Sequence, residues 1–350
     1  MPTYDEYRIG WICALPIECA AAESMLDAFH PTLPNRENDG NTYIFGEING
    51  HNIVIACLPY GVYGTTSASL VATNMRISFP FVRFCLIVGI AGGAPSPQYD
   101  IRLGDVVVSK PIAGYGGVIQ YDYGKAVDGG ELVPTGYLDK PPAALLTAIA
   151  RLQSSHQLHG NSIHRLYQEA SRRYPRIHDH FRRPETANDL LFRTEYGHVA
   201  TWNQDRCEQC DPNMLQKRLL RSSDHPHVFY GLIASANQLL RDAVKCDTLA
   251  QRHGILCFEM ESAGIMDVFP CLVIRGISDY CDSHKNKRWQ GYASISAAAY
   301  AKELLSVIPS VNLTSPDEPD RSRKLERRNT PHTAERHFLT ASRNGEGRQP

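Results

Sequence analysis

The chain has almost no net charge: 36 Lys and Arg face 37 Asp and Glu, a formal balance of -1. It lacks the one-signed field by which proteins hold nucleic acid or an anionic membrane surface, and neither partner is expected. Long apolar runs are missing too; none reaches the ~18 residues of a membrane-spanning helix. The N-terminus, MPTYDEYRIG, has acids and no apolar stretch, so it does not read as a secretory signal. Ten cysteines are present without a disulfide framework. Cys13, Cys57, Cys85 and Cys271 sit inside apolar runs, as buried thiols do, which points to a reducing, cytoplasmic location. Only Cys207 and Cys210, in CEQC, stand close together. They make half of a zinc pattern, with His178, His180, His225 and His227 as other ligands, but the second half is missing. The expectation is no metal and no cofactor. No internal repeat is visible.

What is present is an alternation of strand-like and helix-like runs. YRIGWICA (7–14) precedes the alanine-rich ECAAAESMLDAF; NTYIFGEI and HNIVIACL flank Asn49-Gly50, a strong hairpin signal. TTSASLVATNMRISF reads as a helix, and FCLIVGI, DVVVSKP, HVFYGLIAS, ILCFEM and CLVIRGIS as strands, with SAAAYAKELLSVI (296–308) as a closing helix. Near-continuous apolar strands between helices imply a sheet buried on both faces, an α/β protein. Residues 127–227 are polar, with Arg and His clustered in HRLYQEASRRYPRIHDHFRRPE, and read as a partly helical insertion. The expected organisation is one domain over 1–312, carrying that insertion, and a disordered tail over 313–350, rich in Ser, Pro, Arg and Glu.

Four clusters fall at strand ends, where α/β sheets build ligand sites. Glu18 follows the first strand at a helix start, where its simplest role is to complement the helix dipole. VGIAGGAPS (88–96) is a glycine-rich turn whose Gly89, Ile90, Ala91 and Gly92 would offer backbone to a ligand. CFEMES places Phe258, Glu259, Met260 and Glu261 where a buried strand runs into a helix. Glu259 and Glu261 share parity on an extended strand, and carboxylates there need a partner or a job. VIRGISDYCDS ends a strand in Ser278 and Asp279, the latter in a simpler reading a helix N-cap. Each signal alone is ordinary; together they would converge on one pocket.

In that order, and with the tracts DIRLGDVVVSKP, GGVIQYDYGK, CFEMESAG and CLVIRGISDYCDSHKNKRWQGYA, the chain resembles the nucleoside phosphorylase superfamily from about Tyr7 to Val307, the insertion excepted. That superfamily includes purine and uridine phosphorylases and methylthioadenosine/S-adenosylhomocysteine nucleosidase. The likeness is closest to its fungal branch, found at the N-terminus of NOD-like-receptor proteins. The resemblance implies a three-layer fold with a mixed, barrel-like central sheet flanked by helices, and a homo-oligomer. It also implies roles. Met260 packs under a ribose, Glu261 accepts from its hydroxyls, and Asp279 serves the purine N7. Ser235, Asn237, Leu239 and Leu240 flank the base. For Glu259 the alternative is bonding to backbone and holding the turn.

By the same resemblance Glu18 activates water, while phosphorolytic members carry arginines near the first strand and a Ser where Ile90 stands here. Hydrolysis of an adenine nucleoside or nucleotide, including ATP, is the expected reaction. The rivals are a phosphorylase and a non-catalytic nucleoside-sensing module of an immune-type receptor. Arg172, Arg173, Arg176, Arg182, Arg183, Lys285, Lys287 and Arg288 are candidate phosphate contacts, the simpler reading being a solvated basic loop. Cys246 departs from the basic residue expected at its position. No receptor-type ATPase or repeat domain is read after residue 310, which leaves open both a stand-alone enzyme and a fragment of a larger regulator.

Overall fold

Strand β1 (Ile9–Cys13) is buried along its whole length in the computed structural model, which describes residues 2–112, 114–126, 132–199 and 207–310. The first compact unit runs Met1–Ser310. The expected 313–350 tail lies outside the described residues. Helix α1 (Pro16–Ser24) follows β1, then the edge strand β2 (Ala28–Phe29) and the hairpin of β3 (Tyr43–Ile48) and β4 (His51–Cys57). Asn49 and Gly50 both take positive φ, 51° and 78°, as a tight two-residue hairpin turn requires. Helix α2 (Thr65–Ser78) leads into β5 (Phe84–Gly93), then come β6 (Val106–Ser109) and β7 (Val118–Gln120). A separate ribbon, β8 (Gly124–Ala126) with β9 (Leu132–Pro134), precedes α3 (Ala143–His159), α4 (Ile163–Arg173) and α5 (Ile177–Phe181). The chain returns through β10 (Val228–Ser235), α6 (Ala243–His253), β11 (Ile255–Glu259), β12 (Cys271–Asp279) and α7 (Gln290–Ser306).

The central sheet is mixed and closes on itself. β5 pairs in parallel with β1 on one side and β12 on the other. β12 runs antiparallel to β6, β6 parallel to β10, and β10 parallel to β11. The end of β5 then pairs antiparallel with β11, Gly92 against Phe258 and Gly93 against Cys257, completing a five-stranded ring. The β1–β4–β3–β2 wing extends from that ring. This is the α/β, three-layer, barrel-like sheet expected from the resemblance. Among the described residues, no helix is long and apolar enough to cross a membrane.

Two local expectations are corrected. CFEMES does not run into a helix: β11 stops at Glu259, and only a 3-10 turn, Ser262–Gly264, follows. Glu261 has φ -119° and ψ -38°, so strand parity with Glu259 does not apply. The closing helix begins at Gln290, not at 296. Its first turns carry small residues, Gly291, Ala293 and Ser294, that are buried because α7 packs along β12 and β5.

Candidate active site

The ring brings the ends of β5, β11 and β12 to one place, beside the start of α1. A cavity of about 500 Å³ opens there. Of the residues singled out from sequence, Glu18, Ile90, Ala91, Gly92, Leu239, Phe258, Met260, Glu261, Ser278 and Asp279 line it. A larger cleft, about 680 Å³, lies between α6 and residues 95–100. None of Glu18, Glu261 or Asp279 lines it, so converging carboxylates rather than volume pick the site.

Glu18 is 3% exposed and held by three backbone amides. Ala14 N–H (2.7 Å) and Leu15 N–H (2.9 Å) donate to Oε2, and Ile90 N–H (2.7 Å) donates to Oε1. It thus caps its own helix, as the simpler reading had it, and also reaches across to the glycine-rich turn. Burial pushes its carboxyl above the usual range, against the pull of Arg275 and the amides. Gly89 does not line the cavity. A Cβ there would collide with Glu18 Oε1 and the Arg275 guanidinium. The residue therefore makes room for that pair instead of offering backbone to a ligand.

Arg275, the residue sequence reasoning passed over, is 1% exposed in the middle of β12. It bonds Glu259 Oε2 and lies 3.6 Å from Glu261 Oε2. Glu259 also accepts from Ser262 N–H (3.0 Å), Ser262 Oγ (2.7 Å) and Glu261 N–H (3.2 Å), so it holds the turn. Three buried carboxylates share one guanidinium. Burial first, then the neighbouring Glu259 and Glu18, push Glu261 up to about 7 despite Arg275. A signal was present in the sequence: a lone Arg inside VIRGIS is a buried charge, and buried charges need carboxylate partners.

At the other end, Asp279 follows an irregularity in the β12–β5 register between Ile277 and Asp279. Such a bulge re-aims the side chain beyond it. Asp279 Oδ1 accepts from Cys281 N–H (3.1 Å); Oδ2 accepts from Ser278 Oγ (2.9 Å) and Lys285 Nζ (2.8 Å). No helix starts there, so the N-cap reading fails. Gly92 is required here: a Cβ would meet Asp279 Oδ1 at 2.7 Å and strike Cys281 Sγ. Burial works against the Lys285 charge, but Asp279 outweighs it and holds the ammonium above its usual range.

Ser235 and Asn237 stand behind the lining. Ser235 Oγ accepts from Ala263 N–H (3.0 Å), and Asn237 Oδ1 accepts from Thr65 N–H (2.9 Å) at the start of α2. The cations separate. Lys285 and Lys287 line the cavity, joined by Arg241, which was not foreseen. Arg172, Arg173, Arg176, Arg182, Arg183 and Arg288 do not line it. Arg173 bonds Leu26 O, Arg183 lies over the Trp289 ring (5.5 Å), and Arg288 bonds Asn188 Oδ1. Cys246 is buried on α6 and borders the larger cleft.

A closed, mixed five-stranded ring with buried acids at its strand ends defines an α/β fold of the nucleoside phosphorylase and nucleosidase class. The chain belongs to the Phosphorylase superfamily, which it matches over residues 8–308. A nucleotide-binding leucine-rich repeat (NLR)-like protein of Hyaloscypha variabilis is 47% identical over 305 residues, 87% of this chain and 30% of that protein. The ATP nucleosidase Cap17 of Escherichia coli is 23% identical over 302 residues, 84% of this chain and 50% of Cap17. The chain thus spans half or less of the length of these relatives. Among solved structures, futalosine hydrolase of Helicobacter pylori superposes with a TM-score of 0.54 at 17% identity, covering 86% of this chain and 97% of that one. The 5'-methylthioadenosine/S-adenosylhomocysteine nucleosidase of the same organism gives 0.53 at 17% identity, with 86% and 98% covered. Both likenesses are of fold.

Proposed function

We propose that the chain is a purine nucleosidase, hydrolysing the N-glycosidic bond of an adenine nucleoside or nucleotide. The observation that carries this reading is Glu18, buried on three amides in the cavity that Glu261 and Asp279 also line. A carboxylate whose pKa burial has raised is a stronger base, suited to taking a proton from water. Ionised Glu261 presents acceptors only, which matches the two donors of a ribose diol. Met260 supplies an apolar floor beside it. Departure of the base leaves negative charge on the purine. The Asp279–Lys285 pair holds a proton that this charge can draw onto N7, and the nearby carboxylates favour the oxocarbenium-like ribose.

Hydrolysis is favoured over phosphorolysis by the Ile90 amide. In an anion site that N–H would face phosphate, but here it donates to Glu18. A phosphate arriving there would meet a carboxylate at contact. The cations Arg241 and Lys287 around the cavity, with Lys285 engaged by Asp279, favour a nucleotide over a nucleoside, and the likeness to an ATP nucleosidase supports the same choice.

The test is release of free adenine from ATP, AMP, adenosine and methylthioadenosine, with and without phosphate. Phosphate-independent release is expected. Release only when phosphate is present would replace the nucleosidase with a phosphorylase.

A further inference from the structure

We propose a structural zinc site made by His198, Cys207, Cys210 and His284, tying the 132–227 segment to the loop that follows Asp279. None of its four ligands lines the cavity described above, and none is a proposed catalytic group.

The ligand atoms of His198, Cys207 and Cys210 all lie within 4.8 Å of one another. With Zn–S near ~2.3 Å and Zn–N near ~2.0 Å, tetrahedral ligands sit about 3.3–3.8 Å apart. Closing on an ion therefore takes shifts on the order of an ångström, within reach of side-chain rotation. The CxxC segment is already folded as a turn, with Cys210 N–H donating to Cys207 O (3.2 Å).

His284 is the second, independent observation. It is 6% exposed, and among the described residues neither ring nitrogen finds a hydrogen-bond partner. Asp282 Oδ2 stands 3.5 Å from Nδ1. A buried imidazole left this way costs stability unless something binds it. Its ring centroid is 5.4 Å from that of His198, with planes at 73°. Two imidazoles on one tetrahedral zinc place their centroids about 5 Å apart. Phe192 and Tyr196 stack on His284 at 4.0 and 5.8 Å and fix its plane. Cys207 and His284 border one small cavity of about 30 Å³, which Asp279 and Lys285 line from the other side and which His198 and Cys210 do not reach. Two thiolates and two imidazoles select zinc over hard cations, and binding would release the thiol protons to solvent.

The histidines expected from sequence are not in this group. His225 instead stacks on His164 at 4.4 Å, and the His227 backbone N–H donates to Asp105 Oδ1 (2.8 Å). His284 lies next to Lys285, the partner of Asp279. The ion would thus brace the loop that positions the proposed acid.

The test uses the full chain, purified without chelators from zinc-supplied cells, and elemental analysis. About one zinc per chain is expected, falling to background in Cys207→Ser/Cys210→Ser. His284→Gln should lose zinc to a competing chelator at least about tenfold more readily. Because those variants could fail to fold, the wild-type chain is also stripped, reduced and titrated with Co(II). A one-to-one endpoint with the absorption of tetrahedral cobalt–thiolate supports the site. Background zinc together with no cobalt–thiolate spectrum overturns it, as does wild-type zinc content in the folded double variant. A Cys207–Cys210 disulfide in freshly purified, metal-free protein overturns it as well.

Discussion

The two ends of the cavity handle charge in opposite ways. Around Arg275 three buried carboxylates, Glu18, Glu259 and Glu261, share one guanidinium. At the far end Asp279 and Lys285 are matched one to one. A matched pair needs no proton to be stable. In a set with excess acid, burial first and the neighbouring carboxylates after it carry Glu261 to about 7 while it keeps a cation within 4 Å. The difference teaches that the end proposed to face ribose is the pH-sensitive one, whereas at the end proposed to face the base the Asp279 charge holds the Lys285 ammonium above its usual range.

The strongest way to break the comparison is to disable each end separately. Asp279→Asn and Glu18→Gln should each lower turnover by ~10²–10⁴-fold with the fold retained, the range for a single acid–base group. Steady-state adenine release and circular dichroism check this; wild-type turnover in either variant removes that residue from the mechanism. Next comes Arg275→Met. It leaves buried acids without their cation and should cost about 3–5 kcal/mol in a denaturant melt at neutral pH. The loss should shrink at acid pH, where the carboxyls are neutral.

A smaller effect sharpens the contrast. At limiting substrate, kcat/KM should fall as pH drops below about 7, because protonated Glu261 no longer offers the diol acceptors only. The sign for stability is opposite. A carboxyl raised in the fold from 4.5 to about 7 contributes stability at low pH that is lost as pH rises through about 7. Glu261→Gln should flatten both profiles near neutrality, and thermal melts across that range check it. The smallest effect belongs to the cavity's cations. Any preference for ATP over adenosine should weaken as salt rises, because partly exposed charges are screened over ~10 Å at 0.1 M.

Much of this was legible because it is local. Continuous apolar runs marked β1, β5, β11 and β12, and Asn49-Gly50 marked the hairpin, each through its own composition. The acids Glu18, Glu261 and Asp279 stood out at strand ends, and one cavity holds all three. What escaped was relational. Lys285 read as a phosphate contact, yet its ammonium bonds Asp279, a contact set by the loop's path. Arg275 looked like one charge in a strand until the partners from β11 and α1 were beside it. The start of α7 was hidden because small residues there are buried by a close helix–sheet approach, which has no periodic signature.

Closure of the ring by β5 also bears on how the chain is made. β5 finds β1 behind it as soon as it is synthesised, but Gly93 pairs with Cys257 and Cys85 with Cys271. At ~5–20 residues per second, those partners leave the ribosome on the order of ten seconds later. For that interval the strand at the heart of the sheet has one open edge and bare apolar faces. In the nascent protein this is where chaperone contact and mispairing with another chain are expected to concentrate.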